Sequence, residues 1–353
     1  MGSERVLITG GAGFIGSRLM RLLGQQHEML SFDVLHPQVH GDAPKPFDFE
    51  NVQADIADAD AVERTIRDFK PTVIYHLAAE TGTGQSHDEP RRYCDVNIMG
   101  TTNLVEAARR NAPGLHRVIV AGSRAVYGEG AYLDNDLIVP GCPRESTAMA
   151  HGDFEVRSAS GEALSPVPTP ETLPVMPASV YASTKLMQEY ILRQCFAGTH
   201  VAVRCLRFQN VYGAGQSLKN PYTGVISIMS QQALSGKKLF VYEDGQIVRD
   251  FVHVSDVVEA LAMALSGGDA VGSAPINIGT GVPATIEVMA SKLLGYLGKD
   301  PENYEVNGQF RPGDIRYAVA DVGTAEAALG WKAKVSFDEG LKEIAEWAID
   351  ELK

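Results

Sequence analysis

The stretch Val6-Leu7-Ile8-Thr9-Gly10-Gly11-Ala12-Gly13-Phe14-Ile15-Gly16 decides the fold. Val6 to Thr9 is a β-branched and aliphatic run, too short for a helix, and it breaks at once into glycines. An amphipathic pattern follows through Phe14, Ile15, Leu19, Leu22 and Leu23, so the chain reads strand, turn, helix. The glycines recur as G-x-x-G-x-x-G at Gly10, Gly13 and Gly16. The first permits a tight turn, the second lets the backbone approach a pyrophosphate, and the third lets the helix close on the strand. Phosphate would then sit on the helix N-terminus, where unpaired N–H groups and the dipole favour an anion. Met29-Leu30-Ser31-Phe32 reads as the second strand. Asp33 ends it, placed to accept from a ribose 2′-OH and to repel a 2′-phosphate, so NAD is the expected cofactor rather than NADP.

A chain of 353 residues can bury a large core and divide into two lobes. Its net charge of −13 argues against nucleic acid or an anionic membrane as a partner. An anionic substrate must therefore meet a local cationic pocket. Cys94, Cys142, Cys195 and Cys205 show no close CxxC spacing, so neither a disulfide framework nor a metal site is expected. No apolar run reaches transmembrane length and the N-terminus lacks a signal-peptide pattern, which makes the cytoplasm the expected compartment.

After Asp33 comes a polar connection with Pro37, Pro44 and Pro46, then the short strand Val52 to Ile56. Asp55 in that strand could meet an adenine amine or cap the next helix. Ala61 to Phe69 reads as a helix, and Thr72 to Ala79 as a buried strand whose end (Leu77, Ala78, Ala79) leaves room for a ligand in the crevice of a parallel sheet. His76, flanked by aliphatics, reads as a structural residue. Helix Val96 to Arg110 and strand Arg117 to Gly122 continue an alternation that specifies a doubly wound α/β sheet of Rossmann type. Gly128 to Ala178 breaks the rhythm: it is polar, Pro-rich near its end and without a clear period, and reads as an insertion beside the site, a candidate lid. Helix Val180 to Gln194 and strand Val201 to Phe208 restore the rhythm; a helix over Val225 to Leu234 and a hairpin-like stretch around Phe240 to Gly245 follow. The expected division is a dinucleotide-binding domain over 1–208 with its insertion at 129–178. Residues 209–250 and 282–353 would form a smaller α/β substrate lobe, and 251–281 return to the first domain.

Tyr181-Ala182-Ser183-Thr184-Lys185 is the second anchor. Residues four apart share a helix face, so the phenol and the ammonium can address one ligand. A phenol with its ordinary pKa of about 10 is a poor base; a neighbouring ammonium and a positive nicotinamide would both favour phenolate. Tyr181 is thus a proton acceptor for an alcohol, and Lys185 also a partner for the nicotinamide ribose.

With Ser123 and Val126-Tyr127-Gly128, Arg207-Phe208-Gln209-Asn210, Arg249-Asp250-Phe251-Val252-His253, Asn277-Ile278-Gly279 and Arg311-Pro312-Gly313-Asp314 added, the chain resembles the NAD-dependent sugar epimerase/dehydratase family of extended short-chain dehydrogenases/reductases. The resemblance spans nearly the whole length. It implies that Ser123 bonds the reacting sugar oxygen, that Tyr181 moves its proton, and that Asn210, Arg249 and Arg311 hold a nucleotide diphosphate. Guanidinium forks suit phosphate oxygens and supply the local cation required above. Dehydratases of the family carry an Asp-Glu pair after the active-site hydroxyl; here those places hold Arg124 and Ala125, so epimerisation through a transient 4-keto sugar is favoured over elimination.

A narrower resemblance, to the dTDP-L-rhamnose 4-epimerase subgroup, rests on Ala79 to Ser86, the insertion with Pro168-Thr169-Pro170-Glu171, and Asn220-Pro221-Tyr222-Thr223-Gly224. It implies that Thr81 and Gln85 contact the sugar; Arg124 is a further expected substrate contact. UDP-sugar 4-epimerases stand as the alternative, with a 4-keto-sugar reductase behind them. A catalytically silent NAD-binding regulator is disfavoured by intact Ser123, Tyr181 and Lys185. The family also pairs helices equivalent to Val96–Arg110 and Val180–Gln194 into a four-helix bundle, implying a homodimer.

Overall fold

A computed structural model describes residues 2–41, 46–218, 220, 224–266, 274–311 and 313–353. Pro44, Pro221, Tyr222, Thr223 and Pro312, used in the sequence argument, lie outside the described residues.

Seven parallel strands form the central sheet: β1 Arg5–Thr9, β2 Glu28–Asp33, β3 Asn51–Gln53, β4 Val73–His76, β5 Arg117–Ser123, β6 Ala202–Phe208 and β7 Ile276–Ile278. Their spatial order is β7-β6-β5-β4-β1-β2-β3, so the order reverses at β1. Ligands of open α/β sheets bind outside the carboxyl ends of the strands at such a reversal. Side chains alternate faces along a strand, and both faces here are covered. Val6, Ile8 and Tyr75 pack with Leu19, Leu261 and Trp331 on one side. Leu7, Ile74 and Val118 pack with Val105 and Leu192 on the other. Burial on both faces is why these strands read as unbroken apolar runs.

A second core, with Leu239, Val241, Phe251, Met289, Leu293 and Ile344, lies among the helices Val225–Leu234, Ile286–Tyr296 and Phe337–Glu351. Among the described residues no helix is long and apolar enough to cross a membrane.

Three local expectations are corrected. The segment read as one helix from Val96 is already helical at Pro90–Tyr93, widens into a π-turn over Cys94–Met99, and becomes α-helical at Gly100–Asn111. A 3.6-residue period cannot register such a widened turn. The hairpin around Phe240 to Gly245 is absent: Leu239–Val241 pairs in parallel with Tyr304–Val306 instead. The chain does turn there, with φ of 54° at Glu243 and 82° at Gly245, but its strands find distant partners.

The insertion, expected to lack regular structure, holds three antiparallel strands, Ala131–Asp134, Leu137–Pro140 and Ser165–Val167. Asn135 and Asp136 join the first two with φ of 46° and 64°. That two-residue, positive-φ turn matches the twist of a hairpin and suits Asn and Asp.

Candidate active site

The first turn of β1 makes a backbone cradle. Gly10 has φ +73°, and a Cβ there would stand 2.7 Å from the Ala78 amide nitrogen. A Cβ at Gly16 would strike the Gly10 carbonyl oxygen, so helix and strand could not close. Beside the cradle runs a cleft of about 190 Å³ lined by Gly10, Gly13, Asp33, Asp55, Ile56, Leu77, Ala78 and Ala79, among others. Phe14 and Ile15 are half-buried at the helix entry, and the Arg18 guanidinium lies 4.7 Å over the Phe14 ring. Asp33 Oδ2 accepts from the Ala12 amide at 3.1 Å and Oδ1 from Leu35 at 2.9 Å. One carboxylate thus fixes the glycine loop and still faces the cleft. Asp55 lines the cleft too, while Asp58 caps the helix Ala59–Phe69. A side-chain-free cradle ending in a ribose-height carboxylate fits NAD.

Ser123 is the last residue of β5, and its Oγ accepts from the Ala125 amide at 3.2 Å. Tyr181 sits in the first turn of helix Val180–Cys195, which starts there because the Ser179 hydroxyl accepts from the Ala182 amide at 3.1 Å. Burial raises the Tyr181 phenol above its ordinary value, while a hydrogen bond with Ser123 and the nearby Arg124 charge oppose the rise. The lowering expected from Lys185 together with a bound nicotinamide would work against this burial. The structure ties the Lys185 ammonium to Gln188 Oε1 at 2.6 Å, and burial lowers that lysine to about 8.

Arg124 and Arg249 lie near enough for the charge of the second to act on the first. Burial and the Arg249 charge lower Arg124 to about 9, and its Nη1 is a buried nitrogen without a partner. Burial also lowers Arg249, whose Nη1 donates to the carbonyl of its neighbour Val248 at 2.8 Å. Asn210 Oδ1 is likewise buried and unpartnered. Two neighbouring guanidinium groups, one with an unspent buried donor, are chemically suited to an anion.

Thr81 lines the cofactor cleft. Gln85, expected on the sugar, is buried and engaged: its amide donates to Glu89 at 2.9 Å and accepts from Gln38 at 3.2 Å. Arg311, expected on the diphosphate, lies exposed with its guanidinium 4.9 Å over the Tyr242 ring. His76 is sandwiched between Thr9 and Thr101, and burial pushes it to about 3, in keeping with a neutral structural ring.

A second cavity, about 250 Å³, is lined by Glu129, Arg144, Met176, Ala178 and Asp314 among others. Sequence reasoning missed Glu129, Arg144, Glu243 and Arg316, which form a buried ionic cluster there. Four charges scattered over the chain carry no local signal.

The chain belongs to the NAD-dependent epimerase/dehydratase family. Residues 6–150 match the NAD dependent epimerase/dehydratase family, and residues 161–344 match GDP-mannose 4,6 dehydratase. Among individual relatives, the dTDP-L-rhamnose 4-epimerase of Burkholderia thailandensis is 40% identical over 99% of this chain and 96% of its own. The UDP-glucose 4-epimerase of Mycolicibacterium smegmatis is 34% identical, covering 97% and 98%. In three dimensions the chain superposes on the UDP-glucose 4-epimerase of Thermotoga maritima with UDP-glucose (TM-score 0.80, 29% identity, 99% of each chain). It also superposes on MoeE5 in complex with UDP-glucuronic acid and NAD (TM-score 0.78, 30% identity, 98% and 99%).

Proposed function

We propose that the protein is an NAD-dependent nucleotide-sugar 4-epimerase and that its substrate pair is dTDP-L-rhamnose and dTDP-6-deoxy-L-talose. The observation that carries the reaction type is the hydrogen-bonded Ser123–Tyr181 pair at the end of β5, flanked by Arg124 and Ala125 where an elimination would need carboxylates. The 40% identity to a dTDP-L-rhamnose 4-epimerase supports the substrate.

Bound NAD supplies the hydride acceptor and donor chemistry for the sugar's C4. The protein's own groups handle the proton and the orientation. Ser123 holds the C4 oxygen while Tyr181 removes its proton, and the Lys185 ammonium, one helical turn away, favours the phenolate. Arg124 and Arg249 turn guanidinium N–H donors, and Asn210 its side-chain NH₂, to the nucleotide diphosphate. Concentrating binding energy there leaves the sugar ring free to turn over, so that Tyr181 returns the proton after the opposite face is presented. The residues 209–250 and 282–353 form the lobe that we assign to nucleotide binding.

Exposed Met99, Met187 and Tyr190 (51%, 40% and 42%) on the two outer helices support a homodimer, which light scattering at twice 38.0 kDa would establish.

The test is incubation of the purified protein, without added cofactor, with dTDP-L-rhamnose, UDP-glucose or UDP-glucuronate, read by NMR for inversion at C4. Inversion of dTDP-L-rhamnose is expected, and Tyr181→Phe should abolish it while leaving nucleotide-sugar affinity nearly intact. Inversion of a UDP-sugar alone would change the assigned nucleotide. No inversion, with NAD(P)H consumed on a keto sugar, would make the protein a reductase.

A further inference from the structure

Lys185 is held by a chain of buried polar groups that ends at the cofactor cradle. Its Nζ donates to Gln188 Oε1 at 2.6 Å. Gln188 Nε2 donates to His76 Nε2 and to Thr101 Oγ1, each at 3.0 Å. His76 Nδ1 meets Thr9 Oγ1 at 2.7 Å, and Thr9 Oγ1 accepts from the Ala78 amide at 3.3 Å, beside Gly10. All of these side chains are almost fully buried.

The orientation of the Gln188 amide follows from its neighbours. An ammonium has three donors and no acceptor, so the Gln188 oxygen must face Lys185 and its NH₂ must face His76. Gln188 NH₂ then donates to Thr101 Oγ1, and to His76 Nε2 as well when that nitrogen is unprotonated and the ring proton lies on Nδ1 toward Thr9. A neutral His76 meets this condition, because burial and the Lys185 charge both hold it unprotonated. The charged and titratable groups that also face Lys185 come from its own helix and the next strand. Glu189 favours the ammonium but is neutralised by the Arg207 fork at 2.7 and 3.0 Å, and the Cys205 thiol is pushed up by burial.

We propose that Gln188 is a positioning residue for the reaction: held by His76 and Thr101, its carbonyl oxygen keeps the Lys185 ammonium charged and aimed at the site. This rests on the reading that Tyr181 and Lys185 act together. One N–H of Lys185 is spent on Gln188, and two stay free for the hydroxyls of a bound ribose. His76 thereby acquires a purpose beyond filling the core, since a protonated ring would offer the Gln188 NH₂ no acceptor at Nε2.

The test compares pH profiles of kcat for the NAD-loaded wild type and Gln188→Met, which keeps the volume and removes the acceptor. A hydrogen bond to a charged group is strong enough to move a pKa by about one unit. Loss of the acceptor lowers the lysine pKa, so the alkaline limb should move down by about one pH unit. Activity near pH 6.5 should stay within a few fold of wild type, and the loss near pH 8.5 should reach about tenfold. Bound NAD, released with acid and quantified, should match wild type. Superimposable limbs would overturn the proposal, because a purely structural role lowers activity evenly across pH. Should Gln188→Met fail to fold, Thr101→Val takes its place: its limb should shift in the same direction and be restored in Thr101→Ser, and an unshifted limb again overturns the proposal. Lys185→Met separates the two readings. Retained turnover there refutes the Tyr181–Lys185 pairing itself, whereas lost turnover with an unshifted Gln188→Met limb refutes the role of Gln188 alone.

Discussion

Replacing Arg144 should cost more stability at alkaline than at acidic pH. Its side chain is 2% exposed and joins three parts of the chain. Nε donates to Glu129 at 3.1 Å, Nη1 to Glu243 at 2.8 Å and to Phe154 O at 3.3 Å, and Nη2 to Asp314 O at 2.6 Å. In Arg144→Met the aliphatic volume is kept, but Glu129 and Glu243 lose their shared cation. Glu243 retains Arg316 at 3.2 Å; Glu129 retains one amide from Arg316. Removing one partner of a buried pair costs about 3–5 kcal/mol. Burial already raises the Glu129 carboxyl, and Arg144 is the first group opposing that rise, so the variant raises it further. An acid with a raised folded pKa binds its proton more tightly folded than unfolded, so its contribution is lost as pH climbs through the folded value. A raised carboxyl is protonated more at pH 5 than at pH 8, so the cost is smaller at the lower pH. Urea midpoints of wild type and variant at both pH values measure this. An equal loss at pH 5 and pH 8 would refute the electrostatic account and leave only packing.

Gly16→Ala should separate the helix from β1, since the new methyl would occupy the space of the Gly10 carbonyl oxygen. Overpacking of this kind costs about 1–3 kcal/mol, and the purified variant should emerge with less bound NAD, quantified after acid release. Glu189→Leu should cost about 3–5 kcal/mol by stranding the buried Arg207 fork. The double change with Arg207→Met should recover a large part of that loss in the same urea experiment; a double variant as unstable as the single would contradict it.

Where the chemistry of an element is local, it was legible in the sequence. The glycine spacing, the acid at the end of β2 and the hydroxyl at the end of β5 each lie within one strand-and-turn unit, and the structure puts them along one sheet edge. The insertion was opaque for the opposite reason. Its strands are three or four residues long, one contains Pro166, and the Asn135–Asp136 turn is recognisable only once the flanking strands are known. The contact of Arg311 with the Tyr242 ring was not legible, because a guanidinium resting on an aromatic face looks like any other in a sequence. The hydrogen bond of Gln85 to Gln38 and those of Arg144 to partners at 129, 243 and 314 join residues too far apart in the chain to be read locally.

The edge strand β7 has a consequence for how the chain is made. Asn277 on that strand accepts from the Tyr127 hydroxyl at 2.8 Å, takes its amide to Glu171 at 2.8 Å, and donates its side chain to Thr169 O at 2.9 Å. A ribosome must therefore translate far past the insertion before the residue that fastens it exists. Until then β6 has an open edge, a row of unpaired amides and carbonyls on which a neighbouring nascent chain could template. Shortening the chain before residue 277 should yield not a smaller soluble dinucleotide-binding unit but an aggregation-prone one.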